Sequence, residues 1–136
     1  MRSLIVLALF ATLTLGFHIN DEEEISLRRI HGDCLQQYYI PSHFLTHRHE
    51  YHRIPKLKEH LACLAQNYGF MSETGHFDTS IIYNKLSNAC DSEDAELIMN
   101  KCAIELDDIF ETAAKFWYCL EDEGLPYMSR FIDYYQ

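Results

Sequence analysis

From Ile109 to Leu120 the apolar residues repeat at helical spacing, with Ile109, Ala113, Phe116 and Leu120 in one stripe and Phe110, Ala114 and Trp117 widening it. A strand buries alternate residues, so this period excludes a sheet here and requires a helix with one broad apolar face. Gly124 and Pro126 end it. The same period returns along the rest of the chain, and only 5 glycines and 3 prolines interrupt it in 136 residues. No stretch alternates apolar and polar residues for the length of a strand, so the chain reads as one all-helical domain.

The first helix runs from about Asp21 to Tyr39. Asn20 suits its N-cap, Glu22 to Glu24 complement the positive helix end, and Leu27, Ile30, Cys34 and Tyr38 share a face. Pro41 opens a short second helix reaching about His49. Pro55 opens a third, with Leu57, Leu61, Leu64 and Tyr68 as its stripe and Gly69 as the left-handed residue that stops it. Phe70 to Phe77 form a loop that turns at Gly75. Asp78 caps a fourth helix, carrying Ile81, Ile82 and Leu86 and ending near Asn88. Asp91 or Ser92 caps a fifth, whose stripe is Ala95, Ile98, Met99, Cys102 and Leu106, and the Asp107-Asp108 break caps the sixth. The tail from Tyr127 to Gln136 keeps Met128, Phe131 and Ile132, too apolar for an idle terminus. Without a repeat or linker, six helices share one core.

Met1 to Gly16 has the form of a secretory leader: Arg2 as the basic end, an apolar run from Leu4 to Leu15, and small residues at Thr14 and Gly16. The apolar run is too short to span a bilayer. Cleavage leaves an extracellular domain over 17–136. Its 11 − 1 = 10 basic residues against 21 acidic give a net charge of −11. Such a balance repels phosphate backbones and anionic lipid, which argues against nucleic acid and simple electrostatic membrane docking, and no later stretch is apolar for long enough to expect stable membrane insertion. Secretion permits disulfides, but five cysteines cannot all pair: at least one of Cys34, Cys63, Cys90, Cys102 and Cys119 stays free or joins another chain.

Histidines are the first candidates for chemistry. His43 and His47 stand four apart, as metal ligands on one helix face would, with His49 and His52 following. No carboxylate or cysteine stands at a metal-site spacing beside them, and Arg48 and Arg53 repel a cation, so the metal reading competes with a solvated surface. A third reading uses titration: eight histidines, with His60 and His76 near helix ends, make an acidic domain responsive to mild acid. Enzyme signatures are missing. There is no Gly-x-Ser-x-Gly elbow, Gly-rich phosphate loop or His-Glu-x-x-His. His31-Gly32-Asp33-Cys34 partly resembles the helical Cys-Cys-x-x-His-Asp of secreted phospholipases but lacks the paired cysteines and the calcium loop. Cys90 reads as an inert thiol before a nucleophile. No catalytic residue, metal or cofactor is assigned.

The remaining signal is apolar. Leu64, Phe70, Met71, Phe77, Ile81, Leu86, Ile98, Met99, Ala113, Phe116, Trp117, Phe131 and Ile132 are the candidates for a ligand-binding wall, and solid core is the alternative for each. Small residues in the middle of the last stripe and an apolar tail suit helices packed around a cavity, but periodicity alone does not separate the two.

Two segments carry a family resemblance. Leu61 to Asp78, in which Cys63 is followed by a helical turn, Gly69, Met71 and the turn at Gly75, resembles the third helix and following loop of insect odorant-binding proteins (pheromone and general odorant-binding). Phe110 to Leu120, an acidic-Thr-Ala-Ala run ending at Cys119, is similar to the last signature of that family. The 38 residues between Cys63 and Cys102 and the 28 between Cys34 and Cys63 suit the same register. The resemblance covers the mature chain. It implies a six-helix, disulfide-linked bundle around an internal hydrophobic cavity.

The family pattern has six cysteines, and here two positions depart from it: Glu59 stands where the second would be and Phe110 where the fifth would be. These are partners in the family, so one complete bridge is absent, as in its four-cysteine "minus-C" subclass. The resemblance implies bonds from Cys34 to Cys63 and from Cys102 to Cys119, leaving Cys90 as a free thiol. With Glu59 facing solvent and Phe110 substituting apolar packing, the third and sixth helices would be freer to separate. The function it implies is transport of odorants, pheromones, fatty acids or related lipids, with acid-driven release in some members and a chemosensory receptor as a further partner to a monomer or weak homodimer. A second reading is a salivary, venom or reproductive-fluid protein that sequesters mediators such as amines; an acidic pocket would be its mark.

Overall fold

The computed structural model describes residues 19–135. The segment expected as a leader, Met1 to Gly16, and Phe17 lie outside the described residues. Among the described residues there are eight helices: α1 (Asp21–Gln37), α2 (Ser42–Thr46), α3 (Arg48–Tyr51), α4 (Pro55–Asn67), α5 (Thr79–Ala89), α6 (Ser92–Cys102), α7 (Ile109–Asp122) and α8 (Tyr127–Asp133). No strand forms among these residues, only an isolated antiparallel bridge between Met71 and Phe77.

Local chemistry sets most boundaries. The Asn20 side chain accepts from the Glu23 N–H at 2.9 Å, with four acidic residues in the first turn of α1. Asp78, Asp91 and Asp108 cap α5, α6 and α7 by accepting from Ile81, from Asp94, and from both Phe110 and Glu111. Pro55 occupies the first turn of α4, and Gly69 ends that helix at φ +89°. Gly75 is held at φ +89° as well, and a Cβ there would stand 2.8 Å from Ile109 Cγ1, so the loop turn packs directly on the start of α7.

Several elements differ from the sequence expectation. The second helix breaks at His47 (φ −115°, ψ 42°), giving α2 and α3, and Pro41 is the extended residue before α2 instead of its first turn. Tyr38 lies past the end of α1 and is 38% exposed. Leu106 falls beyond α6 and is exposed, its N–H donating to Thr112 Oγ1 at 3.0 Å. The tail is a helix, α8, which buries Tyr127, Met128 and Phe131. The short helices α2, α3 and α8 depart from the expectation because a segment of one or two turns is decided by the surface it packs against and not by its own period.

The helix pair α4 and α7 forms the centre. α1 packs on α4, α5 pairs with α6, and α8 closes against α1, α2 and α7. Sulfur–sulfur bonds join Cys34 to Cys63, tying α1 to α4, and Cys102 to Cys119, tying α6 to α7. Their separations of 29 and 17 residues correspond to about 3–4 kcal/mol each on the loop-entropy account. Cys90 is free and half-buried.

No disulfide joins α4 directly to α7, and the two positions concerned do not behave as the sequence suggests. Phe110 is 42% exposed and adds little packing, while Glu59 is half-buried instead of solvated. The link comes from their neighbours: Lys58 pairs with Glu111, and the Trp117 indole N–H donates to the Leu61 carbonyl at 2.9 Å. The sequence register that lost a covalent bridge thus retains an ion pair and a buried hydrogen bond between the same helices.

Candidate functional site

The apolar stripes of α4 and α7 and the loop after α4 meet in a nucleus of rings. Phe70, Phe116 and Trp117 are fully buried, with centroids 5.4 Å apart for Phe70 and Phe116 and 5.7 Å for each of the other two pairs. These are edge-on or tilted arrangements, the favourable geometries for aromatic pairs. Phe77 reaches Phe116 at 4.9 Å, and Phe131 of α8 meets Trp117 edge-on at 5.4 Å.

Of the thirteen wall candidates, Leu64, Phe70, Met71, Leu86, Ile98, Ala113, Phe116, Trp117 and Phe131 are buried, and Phe77, Ile81, Met99 and Ile132 are half-buried against them. The structure brings all thirteen into one core cluster. Their rings fill its centre by touching one another. Hollows of about 640 Å³ along the exposed face of α1, beside Asp21, Ile25 and Arg28, about 460 Å³ beside Gln37, Gln66 and Met71, and about 390 Å³ at the loop, where Met71 and Phe77 meet Ser72 and His76, lie outside that ring nucleus.

The polar members of the interior are few: His31, His60 and Thr112 are the buried polar residues among those described. Thr112 is satisfied, its hydroxyl donating to the Asp108 carbonyl at 2.8 Å. The histidines are not. His60 Nδ1 donates to the Tyr38 carbonyl at 2.9 Å, but His60 Nε2 and both nitrogens of His31 have no partner among the described residues. The two imidazoles meet edge-on, with centroids 5.3 Å apart. Phe131 stacks on His31 at 5.6 Å and 15°, and Tyr135 meets it edge-on at 4.9 Å. Burial lowers both histidines to about 4: in His31 the neighbouring His60 adds to the effect, and in His60 the hydrogen bond to Tyr38 partly opposes it.

This pair is the feature that reading along the chain misses. His60 lies inside α4 instead of near its end, and His31 stands on the buried face of α1. The signal was present in the spacing: His31 is four residues after Leu27 and three before Cys34, and His60 is three after Leu57 and four before Leu64, so each falls in an apolar stripe.

The other histidine readings fare differently. The break at His47 removes the single helix face that His43 and His47 were to share, and His43, His47, His49 and His52 are all exposed. Among the described residues no three His, Cys, Asp or Glu side chains gather where a metal ion could be held. His76 is exposed, 3.0 Å from Glu105. The His31–Asp33 couple needed for a lipolytic site is not formed, because residues two apart on a helix point to different sides: His31 is buried and unpaired, Asp33 exposed. Burial, with Asp94 and Asp91 adding to it, raises the Cys90 thiol, which disfavours the nucleophilic thiolate.

Among the described residues no helix is long and apolar enough to cross a membrane. Residues 17–123 match the PBP/GOBP family. A solved structure, the fatty acid binding protein OBP56a from the oral disk of the blowfly Phormia regina, shares the fold with a TM-score of 0.60 at 19% sequence identity, over 77% of this chain and 94% of that one. No curated protein matches the sequence.

Proposed function

The chain belongs to the PBP/GOBP family, and from that premise we propose that it is a secreted, non-enzymatic carrier of small hydrophobic molecules such as odorants, pheromones, fatty acids or related lipids. The observation that carries this reading is the family match over 17–123. The fold shared with a blowfly fatty-acid-binding protein supports it, as does the gathering of aromatic side chains from α4, α7, α8 and the loop after α4 into one apolar interior. We assign the chain to the minus-C subclass on Glu59 and Phe110, with Cys90 as a fifth cysteine outside the pattern.

Because Phe70, Phe116, Trp117 and Phe131 occupy the centre, a ligand enters by displacing rings instead of filling a ready space. Burial of its apolar surface drives binding at about 25 cal/mol per Å². Among the described residues Thr112 and two neutral histidines are the buried polar residues, with no carboxylate among them, which favours a neutral ligand over a sequestered amine. Acid-driven release follows the same histidines, and the charge they would carry faces His31 or His60 itself and the Tyr134 and Tyr135 rings, with Arg28 and the Glu24–Arg130 pair at the rim. Release therefore sets in toward pH 4, below the ordinary histidine range.

A titration with the fluorescent probe N-phenyl-1-naphthylamine, followed by displacement with long-chain fatty acids and alcohols, tests the carrier. Saturable micromolar binding and displacement are expected. Absence of saturation overturns it.

A further inference from the structure

His31 and His60 hold an unspent set of hydrogen-bonding groups inside an otherwise apolar interior. The helices that carry them are tied by the Cys34–Cys63 bond, one turn from each histidine, so the two rings keep a set register. Donation from His60 Nδ1 to Tyr38 makes its Nε2 a bare lone pair. A neutral His31 presents one N–H and one lone pair, both unpartnered. The set is one donor and two acceptors. Leaving such groups buried and unpaired is unfavourable, and apolar residues would pack at both positions without that cost.

The set has a chemical complement. A hydroxyl offers one O–H and two lone pairs, so it can donate to one imidazole and accept from the His31 N–H. A carboxylate has no proton to donate and would set its charge against the lone pairs. An ammonium has no lone pair for the N–H and would bring a charge to a histidine pair whose fellow buried polar residue, among those described, is Thr112 and not a carboxylate.

We infer that the His31–His60 pair is the polar end of the ligand site and takes the hydroxyl of a long-chain alcohol, an inference that rests on the carrier reading and names its ligand class. The alkyl chain replaces the rings lying over His31. Three of the four rings packed on that histidine belong to the terminal segment: Phe131, Tyr134 and Tyr135. Beyond Phe131 lies Trp117, so the chain runs from the histidines toward the aromatic nucleus. The segment that yields follows the last disulfide at Cys119 and is held by hydrogen bonds from Tyr135 to the Ile40 carbonyl at 2.9 Å and from Tyr134 to the Glu24 carbonyl at 3.4 Å.

The test uses 1-dodecanol, 1-chlorododecane, dodecanoate and dodecylammonium as competitors of N-phenyl-1-naphthylamine, with wild type, His31→Leu, His60→Leu and His31→Gln, each checked for helicity by circular dichroism. Wild type should bind 1-dodecanol about tenfold more tightly than 1-chlorododecane, the size of a hydrogen bond to a buried partner. Both leucine variants should abolish that preference, bringing 1-dodecanol and 1-chlorododecane to equal affinity, and His31→Gln, which keeps a donor and an acceptor, should restore part of it. The wild-type series tests the inference without any variant. Equal binding of the two neutral probes, a preference for dodecanoate or dodecylammonium, or a preference surviving both leucine variants overturns the inference and leaves the carrier standing. Failure of every probe to bind overturns the carrier reading and the inference with it.

Discussion

Two clusters of rings in this protein are both buried, apart from the half-buried Tyr135 at the edge of one, and are satisfied to different degrees. In the first, Phe70, Phe116 and Trp117 meet between α4, α7 and the loop after α4, and their one polar atom, the indole nitrogen, donates to Leu61. In the second, His31, His60, Phe131 and Tyr135 meet between α1, α4 and α8, and three ring nitrogens have no partner. Dispersion and hydrophobic burial act alike in both. The unpaired nitrogens lower the stability of the second, and they are also what gives it directional chemistry to offer. A fold gains nothing from such groups, whereas a recognition site needs them.

The contrast can be broken at its stable end first. Trp117→Ala removes the largest buried side chain along with the bond to Leu61, and should lower unfolding stability by about 3–5 kcal/mol in urea denaturation. A loss below about 1 kcal/mol would mean that the nucleus is loosely packed and the two clusters are not distinct in kind.

Acid acts on the other cluster. With folded values of about 4 against 6.5 in the unfolded chain, the unfolded state binds protons that the folded state refuses. The neutral histidines cost no proton-linked stability above pH 6.5, and stability is lost as pH falls from 6.5 to 4, by about 3 kcal/mol per histidine. Denaturation midpoints measured across that range should fall steadily. A flat profile would show that the pair is solvated in solution.

The smallest effect sharpens the contrast most. His31→Leu should raise stability at pH 7 by about 1 kcal/mol, because an unpaired polar group gives way to an apolar one, and should halve the acid slope. Destabilisation by His31→Leu would show that the stacking on Phe131 and Tyr135 outweighs the missing hydrogen bonds.

Residues that act within one turn of the chain are legible in the sequence. The caps at Asn20, Asp78, Asp91 and Asp108, the stops at Gly69 and Gly124, and the wide stripe of α7 follow from side chains hydrogen-bonding their own backbone and from apolar residues repeating at the helical period. The thirteen wall candidates were legible to the same extent, as apolar positions that gather in one core. The short elements were not: α2 and α3 part at His47, and α8 forms because Met128 and Phe131 have a surface to bury against.

By itself, then, the sequence determined an all-helical chain, its longer helices and the family to which its cysteine and glycine spacing points, since these depend on neighbours along the chain. Only the tertiary structure decided that Phe110 turns outward while Lys58 and Trp117 link α4 to α7, that aromatic rings close the centre, and that His31 and His60 face each other. The physical reason is that burial and pairing are properties of two elements at once. A histidine in an apolar stripe has the same spacing whether it meets a carboxylate, a water or another histidine, and its partner, 29 residues away on α4, is chosen by the packing of α1 on α4.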